Sequence, residues 1–166
     1  MVLPYQDLLT GLPNKAFFEA RVAEAIRWAR RCGSGLVVLY VDLDRFKELD
    51  RILGRAVCNR LLRDAAARMA SALGPCDLLA RIGDDEFGVL IEGTGELGCA
   101  AQVTRRLLAQ YSNPYVFDCL SVRVTASIGI GLFPGDAEDA VSLMSRADRA
   151  LHKAKIDGRG RSYPPG

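Results

Sequence analysis

The sequence predicts an α/β fold with a mixed central β-sheet flanked by helices. Amphipathic stretches, with apolar residues at three- and four-residue steps, alternate along the chain with short apolar runs of strand length. Two of those runs are joined by the acidic tip Gly83-Asp84-Asp85-Glu86, as in a β-hairpin. A third, Leu36 to Val41, is apolar without alternation, as a strand covered on both faces must be.

Taken in order, Asn14 to Arg31 reads as a helix that follows Pro13, with Phe17, Phe18, Val22, Ala25, Ile26 and Ala29 inward and Trp28 packing against the helix. Cys32-Gly33-Ser34-Gly35 breaks the pattern before the strand Leu36–Val41. Gly54 precedes a helix over roughly 55–73, whose Val57, Leu61, Ala65, Met69 and Leu73 recur every four residues. Gly74-Pro75 stops it, and the hairpin of Leu78–Ile82 and Phe87–Ile91 follows. Glu96 to Tyr111 is helical, with Val103, Leu107 and Leu108 inward. After Asn113-Pro114, Tyr115–Cys119 and Val122–Leu132 read as strands, and Pro134-Gly135-Asp136 as a turn. The last helix, Asp139 to Lys155, turns Leu143, Met144, Ala147, Ala150, Leu151 and Ala154 inward, and Gly158-Arg159-Gly160-Arg161 opens a short tail.

With 166 residues, 49% apolar and 25% charged, the chain fits one domain (1–166) that buries its own core without a disulfide or metal staple. The first helix starts so early that the chain reads as a domain cut from a longer protein. Net charge is only +2, too small to imply a nucleic-acid partner. No apolar run approaches a membrane span. Met1-Val2-Leu3-Pro4 leads straight into polar residues, so no signal peptide is expected. The five cysteines form no C-x-x-C pair and read as reduced thiols of a cytoplasmic protein.

Two carboxylate groups stand at predicted strand ends: Asp42-Leu43-Asp44, and Asp84-Asp85-Glu86 at the hairpin tip. If the strands are neighbours, Asp42 and Asp85 converge, and such carboxylates with a backbone carbonyl suit Mg²⁺ bound together with a substrate's phosphates. The plainer reading is that these are solvated turn residues. Lys47, Lys155 and Arg159 are the cations placed to meet phosphate, although Lys and Arg near a helix C-terminus equally suit its dipole. His152 reads as a packing or surface residue.

Blocks of residues stand in a telling order: Asp7-Leu8-Leu9-Thr10-Gly11-Leu12-Pro13-Asn14, Asp42-Leu43-Asp44-Arg45-Phe46-Lys47, Arg81-Ile82-Gly83-Asp84-Asp85-Glu86-Phe87, Val124-Thr125-Ala126-Ser127-Ile128-Gly129-Ile130, and Ala147 to Lys155 with Gly158-Arg159. They resemble, along nearly the whole chain, the GGDEF family of diguanylate cyclase domains. That family reads D-x-L-T-G-L-x-N, D-x-D-x-F-K, R-x-G-G-D-E-F, V-T-x-S-I-G, and A-D-x-A-L-Y-x-A-K with G-R. The resemblance implies a fold like nucleotide cyclase and polymerase palm domains. It also implies a reaction in which two domains, each holding one GTP, meet face to face and release cyclic di-GMP and pyrophosphate. Carried over by position, Asp42 and Asp85 ligate Mg²⁺ beside the Leu43 carbonyl. Glu86 supports the reacting 3′-hydroxyl or the metal, and Lys47, Lys155 and Arg159 hold the β- and γ-phosphates.

The chain departs from this pattern where the nucleotide lies. Asp84 replaces the motif's second glycine, adding bulk and a charge near the α-phosphate. One such charge pair costs roughly 4 kcal/mol at about 4 Å and an effective dielectric of about 20. In the guanine pocket Asp50 stands for the family's Asn and Asn59 for its Asp, so donor and acceptor types are exchanged. Arg51 replaces an Asp, and Cys58 a glycine. The R-x-x-D of the family's product-inhibition site reads Gly74-Pro75-Cys76-Asp77, with the Arg lost and the Asp kept, so no feedback binding is expected. Two functions compete. One is a degenerate regulatory domain with little or no cyclase activity, which binds GTP with Mg²⁺ or acts through neighbouring domains of its own chain, partner signalling proteins or a homodimer. The other is a working diguanylate cyclase.

Overall fold

The computed structural model describes residues 4–164, so the expectation for the first three residues lies outside the described part. Helix α1 (Lys15–Cys32) begins where the Asn14 side chain accepts the Phe17 N–H at 3.1 Å, and it ends at Gly33, whose φ of 64° favours glycine. Strand β1 (Leu36–Leu43), α2 (Phe46–Leu53) and α3 (Arg55–Ala72) follow. Next come β2 (Leu78–Arg81), β3 (Glu86–Glu92), α4 (Leu97–Ala109), β4 (Tyr115–Phe117) and β5 (Leu120–Val122). The chain then forms β6 (Ala126–Phe133), α5 (Ala140–Ile156) and β7 (Ser162–Tyr163).

The main sheet runs β2-β3-β1-β6-β7. Its first three pairings are antiparallel and β6–β7 is parallel, so the sheet is mixed as predicted. β1 is central and buried on both sides. Val37, Leu39, Val41 and Leu43 pack with Leu61, Leu62 and Met69 of α3, while Leu36 and Val38 share the opposite core with Phe18, Val22 and Leu143 of α1 and α5. Helix α5 lies so close on β6 that a Cβ at Gly129 would run into the Ala147 carbonyl. Among the described residues no helix is long and apolar enough to cross a membrane.

Several sequence expectations change. β1 extends through Asp42 and Leu43, which pair with Glu86 and Ala126, so the first carboxylate lies inside a strand rather than after it. Helix α2 has no counterpart in the sequence reading. The run Val122–Leu132 is two strands, β5 and β6, because the Thr125 carbonyl accepts the Asp44 N–H at 2.8 Å and leaves the strand path there. β4 stops at Phe117, where Asp118 turns the chain with φ 54°. Trp28 does not pack: it is 59% exposed, with the Arg31 guanidinium 5.7 Å from its ring. The tail forms β7.

Candidate functional site

The central strand places the site. Asp42 is buried on β1 opposite Glu86, the first residue of β3. The Leu43 N–H donates to the Asp85 carbonyl at 3.1 Å, which fastens the hairpin tip to the end of β1. Within that tip the Ile82 and Gly83 N–H groups both donate to the Glu86 carbonyl, at 2.9 and 3.2 Å. A Cβ at Gly83 would lie 2.9 Å from Glu86 Oε2, so a larger residue there would have to push the Glu86 side chain aside.

From α5, Lys155 Nζ reaches Asp42 Oδ2 at 2.9 Å. Burial still pushes the Asp42 carboxyl up to about 6; Lys155 opposes the shift, while the charges of Asp85 and Glu86 reinforce it. Burial likewise raises Asp85, against its own backbone N–H and the cations Lys155 and Lys47, with Asp84 adding to the rise. Asp42, Asp85, Glu86, Lys47 and Lys155 thus share one electrostatic neighbourhood.

Asp84 is exposed. It is absent from the left-handed residues, which are Arg45, Asp118 and Arg159 among non-glycines, so the tip does not need glycine's freedom there. Its carbonyl accepts Arg81 Nη2 at 2.7 Å. Arg81 also pairs with Asp7 at 3.1 Å, so the opening block and the hairpin block meet. An exposed carboxylate is screened by water, which lowers the cost expected from the sequence to about 1 kcal/mol.

Asp50 on α2 pairs with Arg55 at 3.2 Å through Oδ2, while its Oδ1 is buried and unpartnered. The buried Cys58 thiol is pushed up by burial and then by Asp50, which places the two side by side. Asn59 is half-buried on α3. Asp77 is used locally, its Oδ2 accepting the Gly74 N–H at 2.7 Å. Arg159 is exposed at φ 61°, and its guanidinium makes no ion pair or hydrogen bond among the described residues.

Sequence reasoning left Asp44 without a role. It is buried and accepts Thr125 Oγ1 at 2.5 Å, Ser127 Oγ at 2.7 Å and the Gly160 N–H at 3.0 Å. It therefore ties the turn that carries Arg159 to the end of β1. Its place two residues after Asp42, in the block that resembles D-x-D-x-F-K, was the signal available.

Magnesium fits this site by donor chemistry: two carboxylates and the Leu43 carbonyl are hard oxygens, and the buried Asp42 already takes a cation, Lys155. Among the described residues no group of three or more His, Cys, Asp or Glu side chains is gathered to hold a metal on its own.

An antiparallel β-hairpin beside a central strand, with acidic residues on both and helices on the two faces, makes this a mixed α/β domain with its charged groups gathered at one end of the sheet. The chain belongs to the GGDEF family: the family model described as diguanylate cyclase, GGDEF domain, matches residues 4–161. It is 38% identical over 157 residues to the diguanylate cyclase TpbB of Pseudomonas aeruginosa, covering 94% of this chain and 36% of TpbB. It is 39% identical over 157 residues to MucR of the same organism, a bifunctional diguanylate cyclase/cyclic di-GMP phosphodiesterase, covering 95% of this chain and 23% of MucR. The crystal structure of the TpbB GGDEF domain superposes with a TM-score of 0.89 at 37% identity, covering 92% of this chain and 96% of that one. Pseudomonas aeruginosa SiaD, a diguanylate cyclase solved in complex with its activator SiaC, gives 0.89 at 32% identity, covering 95% and 60%. The chain thus spans about a quarter to a third of the curated relatives' length.

Proposed function

We propose that this domain is a degenerate GGDEF domain of a cyclic di-GMP signalling protein. It keeps the scaffold and most charged groups of a cyclase but turns over little or no GTP, and it acts as a regulatory domain on the cytoplasmic side. The observation that carries this reading is Asp84: its carboxylate stands close enough to Asp85 to raise that group's pKa, adding an anion to the bed of a tetra-anionic nucleotide. Cys58 adds a buried side chain beside Asp50, where the family's glycine leaves room for the base.

GTP binding is retained in this reading. The unpartnered Asp50 Oδ1 is an acceptor that a guanine N1–H or N2–H₂ edge would satisfy. Lys47, Lys155 and Arg159 supply charge for the β- and γ-phosphates. Asp42, Asp85 and the Leu43 carbonyl would hold Mg²⁺, which when bound supplies charge neutralisation at the phosphates. Lys155 then exchanges its partner, leaving Asp42 for phosphate oxygen. Neighbouring domains or a partner protein read out the occupied state; a role in protein contacts is supported by SiaD, solved in complex with its activator SiaC.

The competing reading, an active diguanylate cyclase, is favoured by one observation: the hairpin tip tolerates Asp84 without left-handed strain and directs it to solvent. Incubating the domain with GTP and Mg²⁺ separates the two. The expected result is no cyclic di-GMP above trace, with a non-hydrolysable GTP analogue bound and Asp84→Gly binding it about fivefold more tightly. Sustained turnover abolished by Asp85→Ala would overturn the regulatory reading.

A further inference from the structure

A cleft of about 630 Å³ opens between α1 and α5 over one face of the main sheet. Its floor is Tyr40 of β1, which is half-buried. The residues opposite Tyr40 are Gly88 on β3 and Gly129 on β6, so no cross-strand side chain covers its ring. Ile82 and Met144, partly buried against the core, add apolar walls.

Three carboxylates reach this cleft from three elements: Glu19 from α1, Glu86 from β3 and Asp148 from α5. Their charges meet at the Tyr40 hydroxyl. Burial pushes that hydroxyl up to about 12, and Glu19, Asp148 and Glu86 each add to the rise. Among the described residues the hydroxyl makes no hydrogen bond, and the Glu86 and Asp148 side chains have neither an ion pair nor a hydrogen bond. Lys15 is the only Lys or Arg on the lining among the described residues, and it lies 3.8 Å from Glu19. The cleft is thus anionic in a chain whose net charge is +2, so bulk attraction of cations does not explain it.

The spread of these carboxylates decides what they suit. No three acidic side chains are gathered to hold a metal among the described residues, and a metal ion would leave the aromatic floor unused. A polyamine carries ammonium groups spaced along a methylene chain. It can meet carboxylates that stand apart while its carbons and charge lie over a tyrosine face. The volume suits a ligand of that size.

We propose that this cleft binds a small aliphatic polyamine, its methylenes on Tyr40 and Met144 and its ammonium groups among Glu19, Glu86 and Asp148. Only Glu86 is shared with the site around Asp42 and Asp85, and the ligand is opposite in charge to a nucleotide. The proposal stands whether or not GTP is held in the other site.

Titration calorimetry with spermidine, without Mg²⁺ or nucleotide, tests it. The wild-type domain is expected to bind, and Asp148→Asn to weaken that binding about tenfold with an unchanged melting temperature, since Asp148 is exposed. Asp64→Asn makes the same change of charge at an exposed position of α3, on the other face of the sheet, and is expected to leave binding unchanged. Asp85→Asn, in the metal pair, is likewise expected to leave it intact. The proposal fails if the wild type does not bind spermidine or if Asp148→Asn binds it equally well. It fails also if Asp64→Asn weakens binding as much as Asp148→Asn, which would mean diffuse attraction. Loss of binding in Asp85→Asn would overturn it too, since the cation then sits in the metal's place.

Discussion

Lys155 holds the place of a cation. A carboxylate as buried as Asp42 is costly to keep charged unless a positive group stands against it, and in this structure that group is Lys155 at 2.9 Å. Even so, burial leaves Asp42 with a pKa of about 6, above its ordinary value. A carboxyl raised in the folded state binds more protons folded than unfolded between about pH 4 and 6. Stability from this group is therefore greatest at low pH and falls as pH rises through that window. Binding Mg²⁺ requires the ionised form, so metal uptake near pH 5.5 should release about three-quarters of a proton per site, and near pH 8 almost none. Calorimetry in buffers of different ionisation enthalpy reads this directly. Mg²⁺ affinity should drop about tenfold per pH unit below 6. An affinity flat from pH 5 to 8 would show that Asp42 is not a ligand.

At the scale of elements, Asp44 joins what the sequence lists separately: the end of β1, the start of β6 and the tail after α5. Its three accepted hydrogen bonds come from Thr125, Ser127 and Gly160, and Ser127 is fully buried. Asp44→Ala strands those donors and should cost about 3 kcal/mol, lowering the melting temperature by about 6–12 °C. The same change frees the turn, so trypsin should cut after Arg159 well before the rest of the domain opens. A melting loss without earlier cleavage there would mean that the turn is held by β7 alone. These contacts also explain what the sequence could and could not show. The long amphipathic helices α1, α3, α4 and α5 and the apolar run Leu36–Val41 of β1 were legible because burial imposes their patterns. Helix α2 was not, since its eight residues bury only Phe46 completely. Nor was the break between β5 and β6, because apolar and polar residues keep alternating from Val122 to Ala126 while Thr125 turns its carbonyl to Asp44. Within the site, residue types and motif order were legible, but the Lys155–Asp42 pairing and the Asp50–Arg55 pair depend on tertiary placement that no local pattern encodes.

For the molecule as a whole, the resemblance implies a reaction in which each nucleotide meets another held by a second domain, so one domain would supply only half of it. A solitary domain that fails to make cyclic di-GMP could therefore lack either chemistry or a partner copy, and the two causes are separable. Fusing the chain to a short parallel coiled coil raises the effective concentration of one domain for another to about the millimolar range, enough to populate even a weak encounter. If Asp84 and Cys58 disable the nucleotide bed, the fused dimer should still make no cyclic di-GMP above trace. Its affinity for a GTP analogue should match that of the single domain. Restoring both glycines, by Asp84→Gly with Cys58→Gly, should then raise analogue affinity in the single domain and permit turnover only in the fused one. Turnover by the fused wild-type chain would place the deficit in assembly rather than in the site, and the regulatory reading would give way to a cyclase switched on by dimerisation.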